Sequence, residues 1–117
     1  MDLHDLVRAI LAGDLLTARQ WVADAQRAGV RWGNLQRPSG LDKRAMSVAA
    51  DVAELLATRA GAAPPAWTAT VGSTDEPLLL DPGLEDMPRT LAYAKAEGPE
   101  PFRRRNLIAS ADFLSIR

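Results

Sequence analysis

The stretch Asp42-Lys43-Arg44-Ala45-Met46-Ser47-Val48-Ala49-Ala50-Asp51-Val52-Ala53-Glu54-Leu55-Leu56-Ala57-Thr58-Arg59-Ala60-Gly61 decides the fold class. Ala45, Ala49, Val52 and Leu56 recur at helical spacing, with Val48, Ala53 and Leu55 beside them. This periodicity predicts a helix over residues 43–60. Asp42 stands where an N-cap carboxylate takes a first-turn N–H, and Leu41 and Met46 have the offset of a hydrophobic staple. Gly61 suits the left-handed residue that follows a helix, and Pro64-Pro65 forbids its continuation. So many alanines allow a neighbouring helix to approach closely.

Working toward the N-terminus, residues 30–41 read as a loop holding Trp32, Pro38 and Gly40. Before it, Leu15, Ala18, Val22 and Ala25 share one helical face with Trp21 alongside, which predicts a helix over 15–28 capped by Asp14 and closed by Gly29. Leu3, Leu6, Val7, Ile10 and Leu11 form a further stripe, and the break at Gly13-Asp14 makes the pair an αα-hairpin or one kinked helix. Toward the C-terminus, residues 62–84 read as a long loop packed through Trp67 and Leu78-Leu79-Leu80. The three leucines either strap across the helices, with a short strand at 78–80 whose partner is not evident, or offer an apolar patch to a partner. A fourth helix is expected over 85–97, with Leu84, Met87, Leu91 and Ala94 as its stripe and Gly98-Pro99 as its end. The remaining tail reads as extended, with Ser110 capping a last turn that carries Phe113 and Leu114. The expectation is an all-α, mainly helical bundle of about four helices, with residues 1–117 forming a single domain.

Composition narrows the function classes. The 117 residues are 47% hydrophobic and 25% charged, an ordinary globular balance. Without cysteine the chain has no disulfide and no thiolate nucleophile or ligand. A lone histidine, His4, cannot build a multi-histidine metal site or the usual nucleophile–base pair. No cofactor is expected. No apolar run is long enough to span a bilayer, and Met1-Asp2-Leu3-His4-Asp5 lacks the basic lead of a signal peptide, so a cytoplasmic protein is expected. The formal net charge of −1 argues against nucleic-acid binding by bulk charge and leaves a local basic patch open. All but two of the 14 basic residues are arginine, which together with the many alanines fits a bacterial, GC-rich coding sequence.

The candidate partner-binding residues are Trp32, Phe102, Arg103, Arg104, Arg105 and Asn106. Trp32 lies in a loop flanked by Arg31 and Arg37, which makes it the tryptophan to expect at the surface, whereas Trp21 and Trp67 read as core. Guanidinium forks suit phosphates and acidic protein surfaces alike. The three consecutive arginines therefore either grip a partner or divide among an acid such as Glu97 or Glu100, a tryptophan face and solvent. Asp51 and Glu54, one helical turn apart, read as the solvated side of an amphipathic helix. A carboxylate pair does acid–base work only when buried and perturbed, so an enzyme is not expected.

Residues 45–114, through Ala63-Pro64-Pro65-Ala66-Trp67, the leucine stretch and above all Pro101-Phe102-Arg103-Arg104-Arg105-Asn106 with Phe113-Leu114, resemble the C-terminal portion of certain bacterial helix-turn-helix regulators. They are also similar to small stand-alone proteins paired with nucleotidyltransferase-type toxins. The resemblance implies an antitoxin: a cytoplasmic protein that binds a toxin encoded by an adjacent gene. The first 40 residues hold no recognition helix rich in arginine, asparagine or glutamine, so the groove-reading part of those regulators has no counterpart. The alternative is a DNA-binding transcriptional autoregulator that uses Arg103, Arg104 and Arg105 on phosphates.

Overall fold

The computed structural model describes residues 2–81, 83–110 and 113–114, with the backbone alone at residue 85. Two helices, α1 (Leu3–Leu11) and α2 (Leu15–Arg27), precede the central one, α3 (Lys43–Arg59). Each begins at an aspartate whose carboxylate takes a free backbone N–H: Asp2 from His4 at 2.9 Å, Asp14 from Thr17 at 3.1 Å and Asp42 from Ala45 at 2.8 Å. Gly29 and Gly61 follow α2 and α3 with φ of 73° and 71°, conformations that residues with a Cβ rarely adopt. The break at Gly13 gives a hairpin, and it brings Leu3, Leu6, Val7 and Ile10 together with Ala18, Val22 and Ala25 against α3.

α3 is enclosed on every side. Its buried residues run without interruption from Ser47 to Ala57. The hairpin covers one side, while two 3-10 turns, Trp32–Asn34 and Ala66–Thr70, pack on others. A helix buried all round is normally apolar all round, yet α3 carries Asp51 at 0% exposure and Glu54 at 9%. The solvated acid face expected from the sequence is therefore absent, because the C-terminal third of the chain covers it.

That third differs from the sequence reading in three respects. α4 (Pro88–Glu97) starts later than expected, after a 3-10 turn at Leu84–Asp86. The expected extended tail contains a further short helix, α5 (Glu100–Arg104), so the bundle has five α-helices among the described residues. The strand at the leucine stretch exists as β1 (Leu78–Leu79), and its partner is β2 (Leu107–Ile108), beyond both helices. The two run parallel with Leu78 opposite Leu107 and Leu79 opposite Ile108. Leu78 N–H donates to Asn106 O at 3.1 Å and Leu80 N–H to Ile108 O at 2.9 Å. A parallel pair requires a crossover connection, and here α4 and α5 supply it.

The leucine stretch is a strap: Leu80 enters the main core with Phe102, Leu107, Phe113 and Leu114. Phe102 and Phe113 meet edge to face at 5.5 Å. The expected turn capped by Ser110 includes Ala111 and Asp112, which lie outside the described residues. α4 sits over a separate small cluster of Leu84, Ala94 and Ile108. Gly98, at its end, passes so close to the backbone that a Cβ there would stand 2.5 Å from Ala94 O and 2.6 Å from Ala109 O. No described helix is long and apolar enough to cross a membrane.

Candidate functional site

α5 ends by turning its last arginines inward, toward α3. Arg105, 6% exposed, lies just beyond the helix. Its Nη1 donates to Asp51 Oδ1 at 2.6 Å and is also in ion-pair contact with Glu54 Oε1. Nη2 donates to Thr68 O at 2.8 Å and Nε to Val71 O at 3.1 Å. One guanidinium thus joins α3, the turn at Ala66–Thr70 and the segment after it. Arg105 O in turn accepts from Thr74 N–H at 3.1 Å, and Asn106, at φ 67°, reverses the chain into β2. Asparagine tolerates this left-handed geometry better than most residues.

Arg104 reaches the same acids from outside. Its Nη2 donates to Glu54 Oε2 at 2.7 Å while its side chain stays 55% exposed. Asp51 Oδ2 is buried and has no hydrogen-bond partner among the described residues. Burial pushes the Asp51 carboxyl up to about 8, with the hydrogen bond and charge of Arg105 pulling the other way. Desolvation wins because the carboxylate surrenders its water on both oxygens and regains one strong bond. Asp51 is buried and perturbed, and of this acid pair it is Glu54 that lines the two clefts beside Arg104. Among the described residues no three His, Asp or Glu side chains converge to hold a metal ion.

Two open clefts flank Arg104. One, of about 460 Å³, runs between α3 and α5 and is lined by Glu54, Thr58, Arg59, Glu97, Glu100 and Arg104 among others. The other, of about 490 Å³, lies between Pro64-Pro65-Ala66 and Val71-Gly72-Ser73 and has Glu54, Arg104 and Arg105 in its wall. Glu54 is common to both.

The six residues singled out in the sequence divide sharply. Phe102 is fully buried and Arg105 nearly so, holding the fold together. Asn106 is half-buried and Arg104 is half in the ion network. Arg103 is exposed and donates to Ala96 O at 3.0 Å, tying α5 to α4. Trp32 is a correction: it is 7% exposed, with its ring 6.4 Å from that of Trp21. The 3-10 turn folds it under the hairpin, which leaves Trp21 and Trp67 half-buried at the rim. Their indole N–H groups donate to Asp2 O at 3.2 Å and Leu35 O at 2.9 Å. The arginine-flanked loop looked like a surface because arginines are polar, but Arg31 and Arg37 are exposed while the indole between them turns in.

The sequence reading missed what α4 offers. Met87, expected on its apolar stripe, is 46% exposed, and Tyr93 is 61% exposed. Only Ala94 of this ten-residue helix is buried. Comparison of the chain with protein-family models, with curated proteins and with solved structures gives no match.

Proposed function

We propose that the chain is a non-catalytic protein-interaction domain of antitoxin type, one that binds a cognate toxin directly and thereby neutralises it. The observation that carries the interaction reading is α4. Short helices in water owe their persistence to packing of one face, and α4 buries one alanine fully and Leu91 in part. It presents Tyr93 to solvent, with Met87 at its N-terminal edge; among the described residues the one other exposed large apolar side chain is Leu16. Tyrosine and methionine are enriched where proteins meet, and a helix face is a common recognition unit. The toxin as partner rests on the likeness of residues 45–114 to antitoxin-type proteins. The DNA-binding alternative loses support at Arg105, whose guanidinium is enclosed, and at Arg104, which is paired with Glu54.

The test is co-expression with the product of an adjacent reading frame. The expected result is a stoichiometric complex on size-exclusion chromatography and restored growth of cells that the neighbour alone arrests. Tyr93→Glu abolishes both while leaving thermal unfolding of the free chain unchanged. A chain that elutes alone beside each neighbouring product, and rescues no growth, refutes the reading.

A further inference from the structure

The cleft between Pro64-Pro65-Ala66 and Val71-Gly72-Ser73 has a chemistry of its own. A guanidinium carries five N–H donors. The described residues engage one bond from Arg104, the one from Nη2 to Glu54 Oε2. The side chain is more than half exposed and stands in the wall shared by this cleft and the one between α3 and α5, which leaves its remaining donors open to a ligand. Arg105 is different: Nε, Nη1 and Nη2 are all engaged by the fold. Within the lining, Glu54 is the one acid against two arginines, and it already contacts both of them. The acid behind the wall, Asp51, retains its proton more readily than an ordinary carboxyl because it is buried, so it cancels less of the arginine charge than its formal count suggests. The cleft is thus a cationic recess with an exposed hydroxyl at Ser73 and an apolar flank at Pro64 and Ala66. The cleft on the other side of Arg104 carries Glu97 and Glu100 at its edge and lacks this balance.

We infer that this recess seats a carboxylate side chain from an acidic segment of the protein partner, held by the free donors of Arg104 and by Ser73, with the segment's backbone laid along Pro64-Pro65-Ala66. The inference rests on the interaction reading above. A planar, singly charged carboxylate matches one available guanidinium fork. A phosphate dianion is matched by clustered cations, and Arg105 has no bond to give it. The volume, about 490 Å³, is within the range of sites that enclose a few side chains.

The full chain, labelled with 15N, is titrated with a blocked Glu-Asp-Glu tripeptide, its Gln-Asn-Gln counterpart and inorganic phosphate. The acidic peptide is expected to shift the Arg104 Nε–H and the Gly72 and Ser73 amide resonances. Its binding weakens roughly tenfold in Arg104→Gln and in Ser73→Asp, the worth of one charge-assisted bond. Arg103→Gln, outside the cleft, stays within about twofold. Ser73 is exposed, so its variant keeps the fold even if Arg104→Gln disturbs the Glu54 contact. Equal shifts from the neutral peptide, equal shifts from phosphate, absence of shifts at these residues, or unchanged binding in both variants overturns the inference. A complex with the adjacent-frame product that forms and survives Ser73→Asp sinks the carboxylate seat and leaves the interaction reading standing. Peptide binding without any such complex does the reverse.

Discussion

Replacing Arg105 with methionine keeps the aliphatic stem and removes the guanidinium. The loss includes the 2.6 Å bond to Asp51, the contact with Glu54 and the bonds to Thr68 O and Val71 O at 2.8 and 3.1 Å, all at a side chain 7% exposed. Breaking a buried pair by removing one partner costs about 3–5 kcal/mol, since the other charge stays enclosed without compensation. Two features place this case at the low end: Asp51 can take up a proton, and Glu54 keeps Arg104. A loss of about 3 kcal/mol is expected, a large share of the ~5–15 kcal/mol that holds a domain together. With a urea m-value of about 1.5 kcal/mol/M, the midpoint falls by roughly 2 M. Urea unfolding followed by tryptophan fluorescence measures it. The penalty is level at acidic pH and grows as pH rises through about 8, where wild-type Asp51 releases its proton beside Arg105 and the variant's enclosed carboxyl holds it longer. The double variant Arg105→Met with Asp51→Asn recovers part of the loss. A penalty below about 1 kcal/mol, or one independent of pH, refutes the enclosed ion network.

Asp51 itself gives wild-type stability a slope: its folded pKa, about 8, lies above the ordinary 3.8, so the folded state holds the proton more tightly. The contribution is fully present below pH 4 and is lost as pH rises toward 8. The wild-type-minus-Asp51→Asn difference in urea midpoint declines over that window, and a flat difference contradicts the assignment. Gly98→Ala places a Cβ 2.5–2.6 Å from two carbonyl oxygens, Ala94 O and Ala109 O, both backbone and unable to swing aside. The expected cost is about 1–3 kcal/mol by the same unfolding assay, and a stability equal to wild type would show that α4 does not lie against residue 109.

The helices of the first half were readable because their signals are local. Asp2, Asp14 and Asp42 announce where helices begin, and the aliphatic stripes of α1 and α2 face α3 as their spacing requires. The second half was harder to read because its structure depends on pairings far along the chain. Nothing near Leu78 names Leu107 as its partner, and nothing near Asp51 reveals that Arg105 will pair with it. Polar letters at Asp51 and Glu54 suggested solvent, since the sequence gives no sign of a cover arriving fifty residues later. Trp32 was misplaced for the related reason that its flanking arginines describe the loop's outer side alone. The arginine run was visible as a feature, and its two inward members became assignable with the geometry of α3.

The partners of Asp51 and Glu54 come from residues 104 and 105, and the main core also takes in Phe102, Leu107, Phe113 and Leu114. Chains leave the ribosome N-terminus first, so α3 emerges with its acids bare and its alanine faces half-clothed. A nascent or prematurely stopped chain ending before residue 102 is therefore a distinct chemical object: a sticky helix with two charges where its lid belongs. Such a chain would leave open to water the two acids and the apolar faces that Arg104, Arg105, Phe102, Leu107, Phe113 and Leu114 otherwise cover.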